Sequence, residues 1–307
     1  MNCLVLGGAG FIGRHLCRSL IAAGHVVKAC DLPPVGGAGW PGIDGVNWQA
    51  GDFANAEFLA ENLIDTEVVF HLVSTTIPKT SNDDPHADLQ KNVAATLRLL
   101  DAVIRHPRPP RVIFVSSGGT VYGIPKTIPI PEEHPTDPLC AYGVGKLAIE
   151  KYLALYGHLH RLDYRILRMA NPYGPEQPLS RGQGVIPVFI SRALQHEPLE
   201  IWGDGSVVRD YFHIDDLCAA LLATIDYQGS ERIFNIGSGS GCSLIELIDI
   251  IRELLQHDVA VRFLPARACD VPVNILDISR ARTHLGWWPR IPLKEGIGSV
   301  LTRLRTL

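Results

Sequence analysis

Short, almost uniformly apolar runs recur through the first half of the chain at Cys3–Leu6, Val26–Cys30, Val68–His71 and Arg111–Ser116. Runs of this length without polar alternation predict strands buried on both faces, which is the habit of parallel sheets. Helix-length amphipathic stretches separate them at Arg14–Ala23, Glu57–Leu63 and Leu89–His106. This alternation predicts an α/β fold, a doubly wound parallel sheet with helices on both faces. A further helix is expected at Ala141–Tyr156 and a strand at Tyr164–Met169, after which Gly- and Pro-rich loops occupy Asn171–Gly184. Beyond them the pattern predicts helices at Val185–Gln195, Ile214–Thr224 and Ser243–Leu255, a turn at Trp202–Ser206 and a strand at Arg232–Ile236. The expected division is a sheet domain over 1–170, rejoined by segments within about 207–240, and a smaller C-terminal α/β part over 171–307.

With 307 residues, 46% of them hydrophobic, the chain has material for a large core, and a disordered chain is excluded. The formal charge is −4, from 28 basic and 32 acidic residues that are intermixed. No bulk field is available for nucleic acid or an anionic membrane, so an anion must be held at a local site. Seven cysteines, an odd number without C-x-x-C spacing, read as reduced thiols, and with no apolar run long enough to span a bilayer and no leader before the first strand the expected location is the cytoplasm. The twelve histidines are scattered, and no metal is expected.

The first strand runs directly into Gly7-Gly8-Ala9-Gly10-Phe11-Ile12-Gly13 and then a helix. A strand, a glycine turn and a helix present free backbone N–H groups to a diphosphate, and side chains at the glycines would hold the phosphates away. Asp31 closes the second strand, where a carboxylate can accept from ribose hydroxyls and repel a 2′-phosphate. A Rossmann-type domain binding NAD rather than NADP is therefore expected. Asp52 and Phe53 follow the third strand and allow two readings, a contact with adenine or an Asp that caps the next helix.

Tyr142 and Lys146 stand four residues apart and share a face if the segment is helical. A cation there would favour the phenolate and make Tyr142 a base near neutral pH. Such a pair is also common on amphipathic surfaces, and its position in the chain decides between the readings. It follows the glycine loop, Asp31, His71-Leu72-Val73, Asn92 within Lys91–Thr96, and a strand ending in Val115-Ser116-Ser117-Gly118-Gly119-Thr120-Val121-Tyr122-Gly123. It precedes Leu167–Pro175, Gly203-Asp204-Gly205, Arg209-Asp210-Tyr211, Asn235–Gly239 and Arg267–Asp270. Together these motifs resemble the extended short-chain dehydrogenase/reductase family in its nucleotide-sugar epimerase/dehydratase branch, and the resemblance covers nearly the whole chain.

The resemblance implies an NAD-dependent 4-epimerase of a UDP-hexose, with Tyr142 taking the 4-hydroxyl proton and Lys146 on the nicotinamide ribose. It implies that Gly7, Gly10, Phe11, Ile12, Gly13, Asp31, Asp52, Phe53, Leu72, Val73 and Asn92 line the cofactor. A Ser or Thr after the fifth strand should share the substrate oxygen with Tyr142. Here the motif is displaced onto Gly118, which leaves Ser117 first and Thr120 second as the hydroxyl. On the substrate side the resemblance implies Asn171, Val185, Arg209, Arg267 and Asn274, although Arg209 next to Asp210 also permits a structural ion pair. Asn274 is smaller than the tyrosine that crowds a 2-N-acetyl group, so UDP-GlcNAc and UDP-GalNAc are expected to fit. Gly119 and Thr120 stand where 4,6-dehydratases carry Asp-Glu, a 4-keto-sugar reductase would consume a reduced cofactor, and a non-catalytic redox sensor has no need of Tyr142 and Lys146. A homodimer is expected through the helices at Leu89–His106 and Ala141–Tyr156.

Overall fold

A computed structural model of the protein describes residues 1–34, 39–179, 184–265 and 271–306. The elements in chain order are β1 (Asn2–Leu6), α1 (Phe11–Ala22), β2 (Val26–Asp31), β3 (Val46–Ala50), α2 (Ala56–Leu63), β4 (Val68–His71), α3 (Pro85–Asp88), a π-helical segment (Leu89–Ala94), α4 (Ala95–Arg105), β5 (Arg111–Ser117), α5 (Ala141–His160) and β6 (Tyr164–Met169). Then come β7 (Asn171–Tyr173), α6 (Val185–Leu194), β8 (Leu199–Trp202), β9 (Val208–Arg209), β10 (Tyr211–His213), α7 (Ile214–Ala223), β11 (Ile233–Ile236), β12 (Cys242–Ser243), α8 (Leu244–Leu255), β13 (Val261–Leu264), β14 (Val273–Asn274), α9 (Ser279–Leu285) and α10 (Leu293–Arg305).

Seven parallel strands form the main sheet in the order β3-β2-β1-β4-β5-β6-β11. Alternation along β1 shows why both faces are covered. Cys3 and Val5 join a core with Leu16 and Leu20 of α1 and Leu217 and Leu221 of α7. Leu4 and Leu6 join the opposite core, with Leu59 of α2, Leu99 of α4 and Leu153 of α5. The strand order reverses between β1 and β4, and the crevice at such a reversal, at the carboxyl ends of the strands, is where open α/β sheets bind ligands.

The helix expected at Leu89–His106 is interrupted, because the π segment adds a residue to the turn and carries Asn92 inward, where it is buried. The helix after the glycine loop starts at Phe11 rather than Arg14, since Gly10 is its N-cap. Strands β7, β9, β10, β12 and β14 are two or three residues long, too short to leave a periodic signal. They and the parallel pair β8 and β13 accompany a third core, built from Phe189 and Ile190 of α6, Leu247 and Ile251 of α8 and Ile297 and Val300 of α10. Strand β11 lies at the edge of the main sheet, and Leu276, Ala281 and Trp287 also pack into the α1/α7 core. No helix of the described residues is long and apolar enough to cross a membrane.

A buried polar chain ties four elements together beneath the crevice. Glu150 of α5 and Arg168 of β6, 2% and 3% exposed, form an ion pair at 2.6 Å, and Arg168 Nε donates to both carboxylate oxygens at 3.1 Å. Ser116 Oγ of β5 donates to Glu150 at 2.5 Å, Arg168 Nη1 donates to the Tyr122 hydroxyl at 3.0 Å, and Tyr122 donates to Asn235 of β11 at 2.7 Å. Removing one member strands a charge in a low-dielectric interior. Glu150→Leu is expected to destabilise the protein by about 3–5 kcal/mol, and Glu150→Leu with Arg168→Met to recover much of the loss, both read from urea denaturation midpoints.

Candidate active site at the carboxyl edge of the sheet

The glycine loop is a tightly folded cradle. Gly7 has φ +86°, and Gly7 and Gly8 donate to the Cys30 carbonyl at 2.9 and 3.2 Å, pinning the loop to β2. A Cβ on Gly13 would lie 2.2 Å from the Gly7 carbonyl oxygen, so α1 can approach the loop only with glycine there. A Cβ on Gly10 would meet only that same oxygen, at 3.2 Å, and no side chain caps α1. The first-turn N–H groups, with Phe11 and Ile12 at the helix start, are thus available to a diphosphate, and the cradle fits the diphosphate of NAD. Leu72 donates to the Leu6 carbonyl at 3.1 Å and brings the Val73 nitrogen to 3.3 Å from the Cβ position of Gly7, closing the far wall.

Asp31 fits a ribose with part of its capacity already used. Its Oδ2 accepts from Ala9 N at 2.9 Å and Oδ1 from Leu32 N at 2.8 Å, while a carboxylate has about four acceptor sites. Asp52 is not the cap of α2, which is Asn55 accepting from Phe58 N at 3.0 Å; Asp52 instead accepts from Ala54 N at 2.8 Å in a turn of its own. Phe53 is 8% exposed and packs on His71, with ring centroids 5.3 Å apart, so its ring serves the core. Asn92 holds the loop after β4: its Oδ1 accepts from Thr75 N at 2.9 Å, and its Nδ2 donates to Asp88 Oδ1 at 3.1 Å. His71 stays neutral, its pKa pushed down to about 3 by burial and then by Lys146. Thr96 spends its hydroxyl proton on the Asn92 carbonyl, so His71 Nε2 carries the hydrogen in their 2.8 Å bond.

Tyr142 and Lys146 lie on the first turns of α5 and are 8% and 5% exposed, with the Lys146 ammonium 5.7 Å from the Tyr142 ring centroid. Close packing sets them there. A Cβ on Gly143 would lie 3.0 Å from the Thr120 carbonyl, and one on Gly145 would lie 3.0 Å from an Asp88 carboxylate oxygen. Lys146 donates to the Val115 carbonyl of β5 at 2.9 Å and stands over the Phe114 ring at 4.7 Å. Burial lowers its pKa to about 8, against the pull of Glu150 and then Asp88. Burial raises Tyr142 to about 12, Cys140 adds to the rise, and hydrogen bonding with the Ser74 and Ser117 hydroxyls opposes it. The sequence leads one to expect a cation that favours the phenolate; without a bound cofactor, desolvation of the phenolate outweighs nearby polar support.

Gly118 stands where a hydroxyl residue was expected; a Cβ there would come within 2.6 Å of Leu276 Cδ1 and 3.2 Å of the Arg168 carbonyl, so a side chain would require Leu276 to shift. Ser117, the last residue of β5, favours charge on Tyr142 together with Ser74, whereas Thr120 Oγ1 is buried with no partner among the described residues. Ser74 escaped the sequence reading. Its signal was the first polar residue after the apolar run through Val73.

On the opposite wall, Asn171 Nδ2 donates to the Asp210 carbonyl at 3.1 Å, and Val185 opens α6 behind Gly184 at φ +90°. Arg209 donates to the carbonyls of Val208 and Val271 at 2.9 and 2.7 Å. The Asp210 carboxylate instead accepts from Ser238 N at 2.6 Å and Leu276 N at 3.2 Å, which disfavours the Arg209–Asp210 ion pair. Asn274 pairs with Arg209 across β14 and β9, is 1% exposed, and donates to the Gly118 carbonyl at 3.1 Å; its Oδ1 has no partner among the described residues. Arg267 lies outside the described residues.

The fold and site define an NAD-using α/β enzyme class, and the chain belongs to the NAD-dependent epimerase/dehydratase family, whose model matches residues 3–237. It is 36% identical over 312 residues to the UDP-glucose 4-epimerase of Mycolicibacterium smegmatis, covering 99% of each chain. Among solved structures it resembles the Thermotoga maritima UDP-glucose 4-epimerase crystallised with UDP-glucose, with TM-score 0.93, 33% identity and 100% and 99% coverage. It also resembles the UDP-N-acetylglucosamine 4-epimerase of Methanobrevibacter ruminantium, with TM-score 0.91, 29% identity and 99% and 98% coverage.

The Tyr142 phenol is expected to remain protonated well past the ordinary tyrosine value of 10.0 when no cofactor is bound. Its contribution to stability is complete below that value and lost as pH rises through about 12. The difference in tyrosinate absorbance between the wild type and Tyr142→Phe should therefore appear only near the upper end of that window; a midpoint near neutral pH would contradict the assignment.

Proposed function

We propose that the protein interconverts the C4 epimers of a UDP-hexose, 2-N-acetylated sugars included. The observation that carries this reading is the buried cluster of Ser117, Tyr142 and Lys146 beside an open glycine cradle. Bound NAD would accept the C4 hydride and return it.

Tyr142 takes the 4-hydroxyl proton, and Ser117, whose hydroxyl favours charge on the phenol, donates to the same substrate oxygen. Lys146 is fixed by the Val115 carbonyl, where its ammonium serves the nicotinamide ribose and favours charge on Tyr142. The 4-keto sugar is neutral and turns over while its diphosphate stays anchored, and Tyr142 then returns the proton to the oxygen on the other face. Arg209, Asn171 and Arg267 hold the diphosphate and nucleotide, and Val185 bounds the sugar. Asn274 folds back on the Gly118 carbonyl and leaves a compact amide instead of a ring beside the 2-substituent.

The chain is further read as a homodimer. Val144, Tyr152, Leu155 and Leu159 form an exposed apolar stripe at helical spacing on α5, with Leu89 also exposed on the neighbouring π segment. Pairing of this face would bury it in a four-helix arrangement.

The test is to follow UDP-glucose and UDP-N-acetylglucosamine by NMR with catalytic NAD. Appearance of the 4-epimers is expected, with kcat lowered about 10²–10⁴-fold in Tyr142→Phe; a substrate left intact by the wild type would reject the reading. Asn274→Tyr is expected to lower kcat/KM for the acetylated sugar at least about tenfold more than for UDP-glucose, the cost of crowding one substituent. An equal fall for both would remove Asn274 from the specificity argument.

A further inference from the structure

At the other edge of the main sheet, where β5 and β6 begin, three guanidinium groups share one carboxylate. Asp163 receives Arg111 Nε at 2.6 Å, Arg165 Nη1 at 2.5 Å and Arg232 Nη1 at 3.0 Å. Three cations against one anion leave an excess of two positive charges, and Arg161 at the end of α5 adds another. Arg165 is 1% exposed, and its Nε is buried with no hydrogen-bond partner among the described residues. Its remaining nitrogens use the carbonyls of Tyr164 and Tyr227, and Arg111 uses those of Thr224 and Ile225, so backbone oxygen has been recruited where carboxylates are lacking. Burial pushes the Arg165 pKa below the ordinary guanidinium value, and Arg232 and Arg111 add to that fall against the pull of Asp163.

All of the cluster but Arg111 lines an open surface cavity of about 440 Å³, bounded by Arg161, Asp163, Arg165, Gln228 and Arg232. Asp163 is the one carboxylate among these lining residues, and donors outnumber acceptors. Arg232 is 39% exposed and spends one nitrogen on Asp163, while the Arg161 side chain has no hydrogen bond or ion pair among the described residues. Both guanidinium groups can therefore turn donors toward a ligand, and planar forks of this kind match phosphate oxygens.

We propose that this cavity is a second ligand site, separate from the glycine cradle, that binds a polyanion of pyrophosphate size and chemistry. Cavities of a few hundred Å³ are of the size that holds small ligands. Separation follows from the fold: Tyr142 and Arg161 stand at opposite ends of α5, about 28 Å apart at 1.5 Å per residue. The same three elements reach both sites, since β5 runs from Arg111 to Ser117, α5 from Tyr142 to Gly157 and beyond, and β6 carries Arg165 and Arg168.

The experiment is calorimetric titration of inorganic pyrophosphate into the intact protein saturated with NAD and UDP, at constant ionic strength and without divalent metal. Saturable binding at one site per chain is expected to persist, and to weaken at least about tenfold in Arg161→Ala with Arg232→Gln, two solvent-facing changes that leave Arg165 and Asp163 in place. Absence of saturable heat in the protein saturated with NAD and UDP, or an unchanged affinity in the double variant, would each overturn the proposal. None of these outcomes depends on epimerase activity.

Discussion

The Glu150–Arg168 ion pair is the constraint around which the catalytic half of the molecule is arranged. Both groups are almost wholly buried, so neither charge is tolerable without the other, and the bonds from Ser116 and to Tyr122 leave little freedom in how they meet. The pair joins α5 to β6, and its extensions reach β5 and β11. Glu150 lies one helical turn beyond Lys146 and opposes the desolvation that would otherwise discharge that lysine. Ser116 and Ser117, on successive positions of β5, divide the work: one serves Glu150 and the other faces Tyr142.

Close approach is the second theme. Gly13 lets α1 settle on the loop, Gly143 and Gly145 let α5 settle against Thr120 and Asp88, and Gly118 makes room for Leu276. In each case a methyl group would push apart surfaces that must nearly touch, because the cofactor cradle and the reacting side chains lie on different elements. The phenol and the ammonium are consequently removed from water, which raises one pKa and lowers the other. Apart from the cofactor, burial favours the neutral form of both Tyr142 and Lys146.

The layered architecture was legible in the sequence. Apolar runs without alternation specify two-sided burial whatever surrounds them, and the glycine loop and Asp31 sit at ends of regular elements, whereas the Tyr142–Lys146 pair took its reading from its place among the other motifs. Tertiary structure decided what spacing could not express. The space a side chain at Gly118 would need is occupied by Leu276, more than 150 residues away in the chain. Asp52 lost its capping role to Asn55, and Arg209 turned from its neighbour Asp210 to main-chain carbonyls. Pairs, cavities and desolvation arise from residues distant in the chain, so the pKa values, the ties of Asn274 and the arginine cluster around Asp163 became legible only once the strands were laid side by side.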